Sequence, residues 1–416
     1  MTDAALPHPA GSSSRRTIVL VAASCVVANW PERRIYEPLA SDFDIHVIQW
    51  DRPGLMDDWA RERVQRYRIS LYEFTGVAWG LSGLLRYYGR IVEELDRIQA
   101  KRGVDFVVAA DPDVLPAIIW HRFTRRLRYR IIRNEVDYYA GSRAPGRGWP
   151  APARRLGFDL LEATLHTQCD SIITLNRYAK ARLVRWGVPA SRIVVAGLWK
   201  PDEYFAGDRE AYKQILLEKG LFTANQVAHL RGRIVISFLG LFYRGTHLRE
   251  LLEAAKDFPN ELAVILAGKG HELPVVEKYT TRYPNLLFLG WRNDDDLRQF
   301  ARITDIMYQP LNPDDNINWK YFGSTNKMFE AIAAGCMFIG SANNERADLN
   351  AEADFAVPLD FGKDLVPQLH ELFQSVLADR GVLEAKQRNA RRLFERYNHA
   401  AAVDLVRPLF CSPPRR

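Results

Sequence analysis

Tyr321-Phe-Gly-Ser-Thr-Asn-Lys-Met-Phe-Glu-Ala-Ile-Ala-Ala-Gly-Cys-Met-Phe-Ile-Gly-Ser341 reads as a loop, a helix and a strand in succession. Gly323-Ser-Thr-Asn326 is a loop that presents backbone amides and ends in a helix cap. The helix begins at Asn326 or Lys327, and Gly335 lets its end close against an apolar strand at 337–340. A helix N-terminus carries partial positive charge and free N–H groups, which suits a phosphate. Lys327 adds a full charge beside it, and Glu330 lies one turn further in, placed to accept hydrogen bonds from ribose hydroxyls. A capped amphipathic helix with no ligand fits the same spacing, so this stretch alone leaves both readings open.

The same rhythm extends outward in both directions. In the C-terminal half, strands are expected at 234–238, 263–267, 286–289, 305–309 and 337–340. Helices are expected between them at 247–256, 274–283, 294–303 and 326–334. In the N-terminal half, strands are expected at 17–23, 44–50, 105–110, 129–133, 171–175 and 193–196. Helices are expected there at 33–41, 76–101, 114–123, 156–169 and 176–186. Strands alternating with helices imply a parallel sheet covered on both faces. The pattern breaks at 197–207, where turn formers cluster, and then restarts. The expectation is an α/β protein of two Rossmann-like, doubly wound domains facing a central cleft. Its boundaries are a disordered tail at 1–14, a first domain at 15–200, a second at 201–395, and a tail at 396–416 free to pack back on the first domain. Ligands of such sheets bind outside the carboxyl ends of the strands.

Composition supports this division. A chain of 416 residues with 47% apolar content is long and apolar enough for two cores. The run 17–25 follows Arg15 and Arg16 and superficially resembles an export signal ending at Cys25, but it is short and reads better as a buried first strand. Cys25, Cys169, Cys336 and Cys411 are far apart, without metal-ligand spacing, and suit idle thiols in a reducing compartment. The net charge of +7 gathers locally, with six arginines from Arg122 to Arg133 and four at Arg61, Arg63, Arg66 and Arg68. Such clusters suit either a solvated helix face or a surface that meets anionic lipid headgroups. Trp59, Trp79 and Trp120 suit work at a membrane surface, though ordinary core packing fits them better. No zinc finger, RNP-type motif or basic zipper points to nucleic acid.

Three glycine-bearing segments follow strands of the second domain: Leu239-Gly240 with Arg244 beyond it, Gly268-Lys269-Gly270, and Gly290-Trp291. On one rim they would gather Arg244, Lys269 and Lys327 around a single anion. Asp111-Pro-Asp113 and Asp294-Asp-Asp296 tempt a metal reading but suit helix caps better, so no metal and no cofactor besides a substrate is expected. For a base that activates an acceptor, the sequence offers Glu135, with Asp137 and His166 as further candidates. His166 suits a packed or surface histidine better.

The C-terminal half resembles the nucleotide-sugar lobe of glycosyltransferase family 4, retaining enzymes with the GT-B fold. The matching segments are Phe238-Leu-Gly, Ala267-Gly-Lys-Gly, Asn285-Leu-Leu-Phe-Leu-Gly290, Ala301-Arg-Ile-Thr-Asp305 and Asn326-Lys-Met-Phe-Glu-Ala-Ile-Ala-Ala-Gly335. The N-terminal half is similar more loosely, through Val104-Asp-Phe-Val-Val and Cys169-Asp-Ser-Ile-Ile-Thr-Leu-Asn176. The resemblance implies that Glu330 binds ribose, that Arg244 and Lys327 neutralise the donor diphosphate, and that Ser324, Thr325 and Asn326 face phosphate. Gly240, Gly268, Lys269 and Gly270 would line the donor site, with the backbone at Trp291 against the base. It further implies transfer from a UDP-, GDP- or dTDP-sugar to a glycan or lipid-linked acceptor in polysaccharide or glycoconjugate biosynthesis. The place of work would be cytoplasmic, at the inner face of a membrane. The chain departs from the family at Phe322, where the first motif glutamate is expected, at Leu241, where a second basic residue is expected, and at Asn134, in place of a histidine. Those departures keep open a nucleotide-sugar 2-epimerase of the same fold and a non-catalytic two-lobed binding protein.

Overall fold

The apolar run after Arg16 forms a strand, β1 (Arg16–Ala22), in the interior of a sheet, and every residue from Thr17 on is buried. It pairs in parallel with β2 (Phe43–Trp50) on one side and β4 (Phe106–Ala109) on the other. With β3 (Ser70–Phe74), β5 (Arg130–Glu135), β6 (Ser171–Thr174) and β7 (Ile193–Val195), it makes a 7-stranded sheet of order β3-β2-β1-β4-β5-β6-β7. The second sheet has 6 strands in the order β10-β9-β8-β11-β12-β13. These are β8 (Ile234–Phe242), β9 (Leu262–Gly270), β10 (Leu286–Phe288), β11 (Ile306–Gln309), β12 (Met337–Ser341) and β13 (Ala356–Leu359). Every pairing is parallel, which is why the central strands are apolar at successive positions rather than at alternate ones. This computed structural model describes residues 15–24, 27, 30–50, 58–75, 80–138, 151–243, 245–312, 325–341 and 344–411.

Helices cover both faces of each sheet. Val19, Val21 and Val107 pack under Tyr87, Ile91 and Leu95 on one face of the first sheet. The other face belongs to an apolar cluster that continues through Trp199 and Tyr204 to Met328 and Phe329 of the second lobe, so the lobes share a core. Six of the described α-helices and strands were not expected from the sequence: helices Asp58–Arg66, Ala224–Leu230, Asn344–Ala353 and His399–Cys411, and strands β3 and β13. β3 and β13 are edge strands, short and part-exposed, and β13 holds Pro358, which an edge tolerates.

The chain crosses between lobes twice, side by side. Lys200 and Asn398 form an isolated parallel bridge, and the His399 amide donates to the Lys200 carbonyl at 3.0 Å. The helix His399–Cys411 then docks on the first sheet, its Phe410 ring 5.3 Å from Phe106 and 6.1 Å from Phe43. Arg407 pairs with Asp42 and donates to the Pro38 carbonyl at 3.1 Å.

Candidate functional site

The helix Asn326–Ala334 sits between β11 and β12, and everything from Met328 to Ala334 is buried. Thr325 caps it, accepting from the Met328 amide at 3.3 Å. At the other end Gly335 takes a left-handed conformation, φ 65°. Arg209 and Arg391 satisfy the last carbonyls, Arg209 at Ala334 (3.0 Å) and Gly335 (2.7 Å), Arg391 at Ala333 (2.7 Å). Cations thus occupy the negative end of the helix dipole, and the positive end opens toward the ends of the strands. The Asn326 side-chain oxygen at that end is buried without a partner among the described residues.

Lys327 reaches from this helix start across the end of β8. Its Cε lies 3.7 Å from where a Cβ on Gly240 would stand, and Gly240 has φ 145°, a conformation that favours glycine. Two of the three glycine segments, at Gly240 and at Gly268–Gly270, are a correction to the expected loops, while Gly290-Trp291 follows β10 as a loop, as expected. β8 and β9 stay paired to Phe242 and Gly270, with Gly240 opposite Gly268, Leu241 opposite Lys269 and Phe242 opposite Gly270. A Cβ on Gly268 would meet the Gly240 carbonyl at 1.8 Å, so glycine here permits close backbone contact. Lys269 is exposed at the strand end, its Nζ 4.1 Å from the centre of the half-exposed Trp291 ring. The Gly290 carbonyl accepts from the Gly268 amide at 2.9 Å, tying the Trp291 loop to the same rim. The structure therefore joins Gly240, Lys327 and Glu330 in one group and Lys269 with Trp291 in another, bridged by Gly268. Arg244, Ser324 and Phe322, like Cys25 and Trp79, lie outside the described residues.

Glu330 is buried between two ammonium groups. Lys327 Nζ stands 2.6 Å from one carboxylate oxygen, and Lys200 Nζ 3.4 Å from the other. Lys200, from the interlobe crossing, was not singled out from the sequence. It is itself buried and lies 4.4 Å over the Trp30 ring of the first lobe. Desolvation lowers its pKa to about 8 against the opposing pull of Glu330.

The acidic run beside the site serves the lobe contact. The helix Asp294–Arg302 is capped by Asn293, whose side chain accepts from the Asp296 amide at 2.9 Å, which corrects the expectation that the aspartates are the cap. Arg33 meets Asp294 at 2.7 Å, Arg63 meets Asp295 at 3.1 Å, and Trp59 donates to Asp295 at 2.6 Å. Burial works to raise the pKa of Asp294, but Lys200, Arg33 and Lys327 outweigh it and hold the carboxyl below its ordinary range. A cavity of about 470 Å³ lies on the hinge side of these pairs, lined by Arg33, Arg63, Arg298 and Arg302, and none of the expected donor residues among those described lines it. On the far side of the cleft, Arg177 meets Asp348 at 2.7 Å, and Asn176 donates to Glu345 at 3.5 Å. Burial raises the Glu345 pKa to about 8.

In the first lobe Glu135 is fully buried. One oxygen meets Arg182 at 2.7 Å and His166 at 3.5 Å, and the other accepts from Thr174 at 2.9 Å. A carboxylate enclosed by these partners is an internal ion pair, and its burial argues against the expected role as acceptor base. His166 is equally buried, its pKa pushed down to about 3 by desolvation and then by Arg133. Asp137 keeps exposed surface just past the end of β5, yet desolvation by the groups packed around its carboxyl, and then Asp111, raise its pKa. Asp111 accepts from the Ala23 amide at 2.8 Å, closing β1 against β4 rather than capping the turn that follows it. Asn134 is buried between Arg34 (3.1 Å) and the Pro31 carbonyl (3.1 Å).

No protein-family model and no curated protein matches the chain. Solved structures do. HepE of Anabaena in complex with UDP-glucose is similar with TM-score 0.68 and 12% identity, covering 95% of this chain and 99% of that one. Sucrose-phosphate synthase of Thermosynechococcus elongatus gives TM-score 0.65 and 15% identity over 95% and 100%. UDP-GlcNAc 2-epimerase of Neisseria meningitidis bound to UDP-GlcNAc gives 0.59 and 14% over 95% and 100%. Two parallel-sheet lobes in this arrangement are the GT-B fold.

Proposed function

We propose that this chain is a glycosyltransferase that moves a sugar, with retention, from a nucleotide-diphosphate donor to a glycan or lipid-linked acceptor. The observation that carries this reading is the helix start at Asn326. It opens its positive end, Lys327 and Glu330 onto strand ends that Gly240 and Gly268 keep close together. Support also comes from the fold shared with HepE and sucrose-phosphate synthase and from the UDP-glucose in the HepE complex. A UDP-sugar is the first donor to test, with GDP- and dTDP-sugars after it.

Retaining transfer chiefly needs charge stabilised on the departing diphosphate while the sugar gains positive character. Charge-assisted hydrogen bonds from Lys327, Lys269 and Arg244 would contribute about 1.5–3 kcal/mol each. The helix terminus adds roughly 0.3–1 kcal/mol. Together these supply a sizeable part of a barrier reduction of about 8 kcal/mol. Glu330 would release part of its contact with Lys200 and Lys327 to accept from ribose hydroxyls. Acceptor chemistry belongs to the rim where Asp137 is exposed. We place the work at the cytoplasmic face of a membrane, in polysaccharide or glycoconjugate assembly.

The experiment is a thermal-shift screen with UDP-, GDP- and dTDP-sugars, because a ligand that binds only the folded state raises its apparent stability. Calorimetry on Glu330→Gln should follow. Unchanged stability with every nucleotide would overturn the reading. The 2-epimerase of Neisseria meningitidis shares the fold, so a second reading is epimerisation, which would yield product without any acceptor.

A further inference from the structure

We propose that the outer face of the first sheet is a docking surface for an anionic lipid bilayer. The connections β3 to β4, β4 to β5 and β5 to β6 all move the same way along that sheet, so right-handed crossovers put their helices on one face. These are Leu81–Arg102, Leu115–Thr124 and Ala151–Thr167. The first two pack together. Arg122 ties the second to the segment that leaves the third, meeting Asp170 at 2.6 Å and the Gln168 carbonyl at 3.0 Å.

Each helix turns an apolar pair outward at helical spacing. Trp120 and Phe123 are 63% and 80% exposed, and Leu81 with Leu85 and Leu156 with Leu160 are each more than half exposed. Single exposed apolar side chains are ordinary, but pairs on three neighbouring helices are not. The inward faces of these helices are already filled, with Tyr87, Leu95, Leu115 and Ile118 in the core, so the outward pairs are surplus to folding.

The charge on this face selects the occupant. Arg86, Arg126 and Arg128 are exposed and make no ion pair among the described residues, and no acid occurs from Val114 to Asn134. Arg126 takes φ 51° just past its helix, where the Leu127 amide turns back to the Arg122 carbonyl at 3.0 Å. A second copy of this chain would set these arginines against each other. A bilayer with anionic headgroups accepts the cations at its surface and the aromatic and leucine side chains just beneath. Of the two described tryptophans in the sequence argument, Trp120 serves here and Trp59 does not, being packed 4.8 Å from Arg33 and 4.1 Å from Arg63 at the lobe contact.

This inference deepens the acceptor side of the proposed function but stands on different residues. The test is sedimentation of the full chain with vesicles of phosphatidylcholine alone and of phosphatidylcholine with phosphatidylglycerol. The chain should bind the anionic vesicles. Trp120→Ser with Phe123→Ser, and separately Arg86→Glu with Arg126→Glu and Arg128→Glu, should each weaken that binding about tenfold or more. All these positions are exposed, so the melting temperature should hold. Failure of the wild-type chain to bind, or undiminished binding by both variants, overturns the proposal. So does a concentration-dependent dimer, in place of vesicle binding, that the Trp120/Phe123 variant abolishes. Nucleotide calorimetry on the same samples separates the two readings, since either can fail while the other holds.

Discussion

Lys200 of the interlobe crossing lies 3.4 Å from the carboxylate of Glu330, a contact between two buried side chains 130 positions apart. It places a first-lobe neighbour, Trp30, and a candidate ribose ligand on one ammonium group. The folded chain holds that proton less tightly than the unfolded chain, because Lys200 titrates at about 8 in the fold against an ordinary 10.5. Between those values the unfolded state binds more protons, so stability from this group rises with pH, by up to about 1.4 kcal/mol per unit. The Lys200→Met variant should lose that slope. Unfolding free energies of both proteins from about pH 8 to about pH 10 check it, and parallel curves would sink the assignment.

Glu330→Gln keeps the shape and removes the charge. It should weaken nucleotide binding by roughly 10- to 100-fold, equivalent to losing about 1.5–3 kcal/mol from a charged hydrogen bond. Calorimetry with UDP is the measurement, and full affinity in the variant would remove Glu330 from the site.

Gly268→Ala should be costly and Gly207→Ala cheap. The first puts a methyl 1.8 Å from the Gly240 carbonyl, while nothing lies within 4 Å of the second. Overpacking there should cost about 3 kcal/mol, against roughly 0.5 or less for the control. Chemical denaturation of both variants decides it, and equal midpoints would contradict the close pairing of β8 and β9.

The Arg33–Asp294 contact should couple the lobes. A double-mutant cycle with Arg33→Ala and Asp294→Ala is expected to give roughly 0.5–3 kcal/mol of interaction. Its pH dependence has a definite sign. The Asp294 carboxyl titrates lower in the fold than in the unfolded chain. Its stabilisation is therefore complete above the unfolded value of about 3.9 and fades as pH falls through the folded value. As pH falls through the folded value the wild-type chain should lose this contribution while Asp294→Ala, which lacks the group, should not, so the stability difference between them should shrink on acidification in chemical denaturation; an additive cycle would leave the pair without a role.

Much of the fold could be read in the sequence because central parallel strands declare themselves as unbroken apolar runs. The Asn326–Ala334 helix was legible at both ends, through Thr325 and Gly335. What escaped depends on distant partners. β3 and β13 are strands because a neighbour pairs with them, and their own composition is mixed. Glu135 looked like a loop acid because Arg182, 47 positions later, is invisible locally. Lys200 looked like a turn residue because Trp30 and Glu330 meet it only once both lobes have formed.

The paired crossings at Lys200 and Asn398 act like two pins on one axle. Rotation about the line through them remains soft, while shear and twist strain both backbone segments together. Substrate-driven closure should therefore follow a single angular coordinate, which one pair of spectroscopic labels, one per lobe, would suffice to track.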